Sequence, residues 1–134
     1  LMGDLLSLKQ LNLPVKIVVF NNGSLAFVEL EMKAAGILDF ATELDNPNFA
    51  EIAHASGLNG VRVEYPEELA GALKTAFAHE GPALIEVLTA RQELSMPPTI
   101  ELKQAVGFSV YMAKAVLNGR GDEIIDLAKT NLFR

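Results

Sequence analysis

The sequence predicts an α/β fold: a parallel sheet with helices on both faces, followed by a helical C-terminal tail. Three observations predict it. Apolar, β-branched runs at residues 15–20 and 83–88, and an alternating run through Val61, Val63 and Tyr65, are each separated by amphipathic segments. Strands spaced in this way by helices form parallel sheets covered on both sides. Beyond Pro97-Pro98 only helical periodicity continues. This divides the chain into an α/β part over residues 1–92 and a tail over 93–134.

Leu5, Leu6, Leu8, Leu11 and Leu13 mark a short first helix that ends before Pro14. Residues 15–20 (Val-Lys-Ile-Val-Val-Phe) read as a strand buried on both faces, closed by Asn21-Asn22-Gly23. A helix over 24–35 should follow, with Ser24 as its N-cap and Gly36 as its stop. Leu25, Val28 and Met32 form its apolar side, and Glu29, Glu31 and Lys33 lie elsewhere, on a face water can cover. Residues 37–46 connect to a short helix that starts near Pro47 and stops at Gly57. Pro66-Glu67-Glu68 suits the start of the next helix, because proline fits the first turn and carboxylates favour its positive end. Leu69, Leu73, Ala76 and Phe77 supply the buried face of that helix.

In the tail, residues 99–117 and 122–132 read as two helices separated by Asn118-Gly119-Arg120-Gly121. The first groups Ala105, Phe108, Met112 and Val116, widened by Val106 and Val110. The second groups Ile124, Ile125, Ala128 and Leu132, with Phe133 adding apolar area at its end.

Composition narrows the function. The chain has 134 residues, no cysteine and a net charge of −6. Thiolate chemistry is therefore absent, and a general nucleic-acid surface is disfavoured. No apolar run approaches the ~18 residues that cross a bilayer, and no signal peptide is visible at Leu1-Met2-Gly3-Asp4. Residues 1–92 carry 6 basic and 12 acidic side chains, and residues 93–134 carry 5 of each. No Ser-His-acid order, HExxH or complete phosphate loop occurs. His54, among apolar helix neighbours, reads as a core-edge or surface residue, and His79 as a helix-end group. Asn21-Asn22-Gly23 is either a plain turn or, at the carboxyl end of a parallel strand, part of a ligand site. Asparagine carbonyls are hard oxygen donors suited to Mg²⁺. Of Glu29 and Glu31, only one can point toward such a site.

Asn21-Asn22 with the following Gly23-Ser24-Leu25-Ala26-Phe27-Val28 resembles the second half of the thiamine diphosphate-binding motif. Residues 47–53 and 81–87 are similar to later parts of that family's diphosphate-binding domain. Met96-Pro97-Pro98, residues 107–112 and residues 119–131 resemble the C-terminus of its pyruvate dehydrogenase (quinone), or pyruvate oxidase, branch. The Gly-Asp-Gly that opens the motif is missing, since Gly3-Asp4 stands too near Asn21-Asn22; it is expected upstream of Leu1, in a longer protein. The resemblance implies thiamine diphosphate contacted by Asn22, Gly23, Ser24, Leu25, Ala26, Phe27 and Val28. It implies Mg²⁺ held by the Asn22 side chain and the Ser24 backbone carbonyl. It further implies Phe27 and Glu31 at the reacting centre, and FAD bound by a domain outside this chain.

The whole enzyme, by resemblance a homotetramer, would oxidise pyruvate to acetate and CO₂ and reduce ubiquinone. It would sit peripherally on the inner face of the cell membrane, with the tail docking on lipid; the 134-residue chain alone is expected to be inactive. Two alternatives stand beside this reading: an acetolactate synthase-like carboligase, and a non-catalytic α/β interaction module.

Overall fold

The computed structural model describes residues 2–93 and 101–132. The expected Pro97-Pro98 joint, Met96, Thr99 and Phe133, and the side chain of Leu132, lie outside the described residues. The chain forms two compact units, one from residues 1–22 and 45–89, the other from 23–44 and 90–134. Compactness thus divides the chain along a different line from the partition at 92/93 read from composition. Among the described residues, no helix is long and apolar enough to cross a membrane.

The first unit holds the sheet. Helix α1 (Asp4–Gln10) leads to strand β1 (Lys16–Asn21), and helix α3 (Phe49–Ala55) leads to β2 (Asn59–Val63). A single 3₁₀ turn at Pro66–Glu68 opens α4 (Leu69–Ala78), which precedes β3 (Ala83–Leu88). All pairing is parallel, in the order β1-β3-β2, with Lys16 and Asn59 both opposite Ala83. Successive β3 side chains point to opposite faces. Ala83, Ile85 and Val87 pack with Val63 and with Ala72 and Ala76 of α4. On the other face, Leu84 packs with Leu5 of α1, Ala53 of α3 and Leu58. Helices therefore cover both faces, as the sequence predicts.

Two expectations need correction in this unit. Among the described strands β1 lies at the edge, and it is not buried on both faces. Its Ile17 and Val19 join the α1/α3 side, but Val18 and Phe20 are 38% and 73% exposed on the other. In α4 the small Ala72 and Ala76 are buried against the sheet, and Phe77 is exposed.

The second unit consists of α2 (Ala26–Ala34), the loop after it, α5 (Leu102–Leu117) and α6 (Gly121–Leu132). Helix α5 crosses α2 backbone to backbone. A Cβ at Gly107 would stand 1.9 Å from the Ala34 carbonyl oxygen, so only glycine fits there. Tyr111 and Ala115, one and two turns further on, are buried on the same face. The apolar face read from sequence is only partly in the packing: Phe108 and Met112 are half-buried, the Phe108 ring lying 5.8 Å from that of Tyr111, whereas Val106, Val110 and Val116 are exposed. Among the described side chains of α6, Leu127 is buried, Ile124 and Ala128 are half-buried and Ile125 is exposed. Arg120, at the α5–α6 turn, donates to both Asp39 oxygens at 2.7 and 2.9 Å and to Glu123. Burial alone would raise the Asp39 carboxyl, but the Arg120 hydrogen bonds and charge outweigh it and hold it below its ordinary value.

Candidate cofactor-binding site

The Asn-Asn-Gly turn lies where the chain leaves the first unit and enters the second, and each side is built by its own unit. In the first, β1 ends at Asn21, whose amide is committed at both atoms. Its nitrogen donates to Glu86 at 2.7 Å and its oxygen accepts from Asn46 at 2.8 Å. Its backbone carbonyl accepts from Thr89 at 3.0 Å. A side chain so engaged is a poor metal ligand.

Glu86 organises this corner. It is fully buried in β3, accepts from Arg62 on both oxygens at 3.1 Å, and receives the Phe49 and Ala50 amides that open α3. A carboxylate at a helix start neutralises unpaired N–H groups and suits the dipole. Sequence reading passed over Glu86, although a lone carboxylate inside an apolar strand run was the available signal.

In the second unit, Gly23 adopts φ +63°, a left-handed conformation that favours glycine. Leu44 N–H donates to the Gly23 carbonyl at 2.9 Å, and Leu25 N–H to Thr42 at 2.8 Å. These bonds flank Ser24, which pairs with Glu43 as an isolated antiparallel bridge. Helix α2 then starts at Ala26, with Leu25 in the N-cap position and no side-chain cap. The expected Ser24 cap is not formed. Ser24 Oγ donates instead to Glu29 at 2.7 Å. The first-turn amides of α2 therefore lack a side-chain partner of the usual kind and suit an anionic group.

Helix α2 departs from the sequence reading at Leu25, Val28, Glu29 and Lys33. Leu25, Phe27 and Val28 are 45%, 72% and 48% exposed, whereas Glu29 and Lys33 are 3% and 2% exposed. Glu31 is exposed too, one turn from Phe27. The structure thus brings Phe27, Val28 and Glu31 to one accessible side of α2 and assigns Glu29 to the opposite one. Lys33 donates to Glu29 at 2.5 Å and to Gln92 at 3.1 Å, and its ammonium lies 5.4 Å from the Tyr111 ring centroid. Arg91 adds a contact to Glu29 at 3.4 Å. Burial would raise the Glu29 carboxyl, but hydrogen bonds from Lys33 and Ser24 and the two cations outweigh it and hold it low. The i,i+4 spacing of Glu29 and Lys33 was visible in the sequence; their burial was not. His54 is exposed on α3, and His79 is exposed at the α4 C-cap.

The model of the thiamine pyrophosphate enzyme C-terminal TPP-binding domain matches residues 1–87. The chain belongs to that family. It is 33% identical over 129 residues to the putative thiamine pyrophosphate-containing protein YdaP of Bacillus subtilis (strain 168), which is 96% of this chain and 22% of that protein. It is 35% identical over 95 residues to the mitochondrial acetolactate synthase of Schizosaccharomyces pombe, covering 70% of this chain and 14% of the relative. The mitochondrial acetolactate synthase catalytic subunit of Saccharomyces cerevisiae is 36% identical over 85 residues, 63% of this chain and 12% of the relative. The chain thus spans about a fifth or less of these relatives.

The residues present fit the family's cofactor. A helix start without a side-chain cap can receive a diphosphate, and the segment before it offers neutral oxygen donors. Among the described residues no three acidic, histidine or cysteine side chains gather as a metal cluster. Neutral carbonyl oxygens beside a diphosphate are the donor set that suits Mg²⁺.

Proposed function

We propose that residues 22–28 hold the diphosphate of thiamine diphosphate, with Mg²⁺ on the Asn22 side chain and the Ser24 carbonyl. The start of α2, without a side-chain cap behind a left-handed glycine, is the observation that carries this reading. Phe27 and Glu31, together on the accessible side of α2, are the residues offered to a substrate. When bound, thiamine diphosphate supplies a nucleophilic thiazolium carbon and an electron sink for 2-oxo acid decarboxylation. This chain's contribution is to bind and orient the diphosphate and to present Phe27 and Glu31.

For the whole protein, the acetolactate synthase-type reaction has the better support: decarboxylation of one 2-oxo acid and joining of its remainder to a second. Several relatives bear that name.

A second reading, the pyruvate dehydrogenase (quinone) with FAD and ubiquinone, rests on the resemblance of residues 107–112 and 119–131 to the C-terminus of that branch. In this reading α5 and α6 belong to a peripheral membrane enzyme, a homotetramer at the inner face of the cell membrane, and the tail meets lipid. The full-length protein, given pyruvate, thiamine diphosphate and Mg²⁺, decides. Acetolactate without quinone reduction supports the first reading. Acetate formation coupled to reduction of a ubiquinone analogue, enhanced by lipid vesicles, supports the second. Calorimetry showing no thiamine diphosphate uptake would remove both and leave an interaction module.

A further inference from the structure

The geometry points to Glu29 as the residue that positions Ser24, and with it the Ser24 carbonyl, in the cofactor-binding segment. The inference rests on the cofactor reading above and adds a residue to it. Ser24 is held at three points. Its neighbours are fixed by the Leu44-to-Gly23 and Leu25-to-Thr42 hydrogen bonds, and its own hydroxyl is drawn inward by Glu29 at 2.7 Å. A residue pinned on both sides and through its side chain has one peptide orientation. The carbonyl that would meet the cation is therefore set before the cation arrives.

Glu29 is suited to this task because it cannot move. Its second oxygen is taken by Lys33, Arg91 approaches the first at 3.4 Å, and Glu29 N–H donates to the Leu25 carbonyl at 3.0 Å within the helix. Lys33 is fixed in turn by Gln92 and the Tyr111 ring. A buried ion pair is expensive to desolvate and is weak evidence of stability by itself. Placed one turn from the segment, it does what an apolar pair could not: it offers Ser24 a rigid acceptor. Partners behind a ligand typically account for 10–100-fold in metal affinity.

The test uses the full-length protein. Mg²⁺ is titrated calorimetrically at saturating thiamine diphosphate, and the melting temperature of the cofactor-free protein is recorded in parallel. Ser24→Ala keeps the carbonyl but removes the hydroxyl. It should weaken Mg²⁺ binding about 10-fold, with the cofactor-free melting temperature little changed; Ser24→Thr, which keeps the hydroxyl, should bind as the unaltered protein does. Unchanged Mg²⁺ affinity in Ser24→Ala, or an equal loss in Ser24→Thr, would overturn the proposal. If Ser24→Ala does not fold, Glu29→Leu combined with Lys33→Met replaces it, removing the acceptor while keeping the volume, with the same expected loss and the same overturning result. Absence of Mg²⁺ and thiamine diphosphate uptake by the unaltered protein would sink the cofactor reading itself, a separate outcome.

Discussion

In the proposed site Asn22 and Ser24 would offer a cation oxygens of different kinds, and the difference shapes what substitution does. Replacing Asn22 with Ala removes a side-chain donor outright, so Mg²⁺-dependent thiamine diphosphate binding by the full-length protein should fall at least 10-fold. Calorimetry with unchanged affinity would remove Asn22 from the site. At Lys33 the expected effect is on stability. Lys33→Ala leaves Glu29 buried with a weakened partner set, a change that typically costs about 3–5 kcal/mol. The Glu29→Leu, Lys33→Met double variant should cost far less, because it removes both charges; urea unfolding of the three chains measures the contrast.

Acid should act on the same group. Glu29 and Asp39 both titrate below their ordinary values in the folded chain. Their stabilising effect is complete above the unfolded values of about 4.3 and 3.9 and is lost as pH falls through the lowered folded ones. Unfolding free energy should thus fall below about pH 5, and the double variant should show a shallower fall. Sequence could not supply this pair's role. Its spacing is that of an ordinary surface ion pair, and the partners that bury it, Arg91 and Gln92, lie 62 and 59 residues from their contacts.

At the scale of elements, two glycines make opposite predictions. Gly107→Ala drives a Cβ into the Ala34 carbonyl and should destabilise by about 1–3 kcal/mol or more, since two backbones must part. Gly71, in α4, has nothing within 4 Å of an added Cβ. Gly71→Ala should therefore stabilise by about 0.4–1 kcal/mol through the unfolded chain. Thermal melts of both variants suffice, and an unchanged Gly107→Ala would refute the close crossing. The alternation of strands and helices was legible because β3, buried at five of its six positions, and the α3 cap at Asn48 follow simple patterns. The faces of the tail helices were legible only in part, through Phe108 and Met112 in α5 and Ile124 and Ala128 in α6. α5 packs through Gly107, Tyr111 and Ala115, a stripe of small residues and one aromatic that a search for aliphatic side chains passes over. α2 misled for the converse reason, since Leu25 and Val28 are exposed whereas Glu29 and Lys33 are buried.

At the scale of the whole molecule, the second unit is assembled from two distant stretches. Residues 23–44 and 90–134 together form one compact unit. A chain ending at Thr89 should keep the β1-β3-β2 sheet and lose the cover over α2. Trypsin reports this directly: Lys33 is 2% exposed in the intact chain and should resist cleavage there, but be cut early in the shortened one. Resistance in both would show that α2 folds without the tail. Time adds a further consequence to this interleaved layout. Lys33 joins Gln92, Gly36 joins Lys114 and Asp39 joins Arg120 across 59 to 81 residues of chain. Contacts so far apart in sequence form slowly. At ~5–20 residues per second of synthesis, the α2 segment waits several seconds for its partners to leave the ribosome. The proposed cofactor-binding segment would thus be finished after the sheet, and its formation should be a slow phase of refolding.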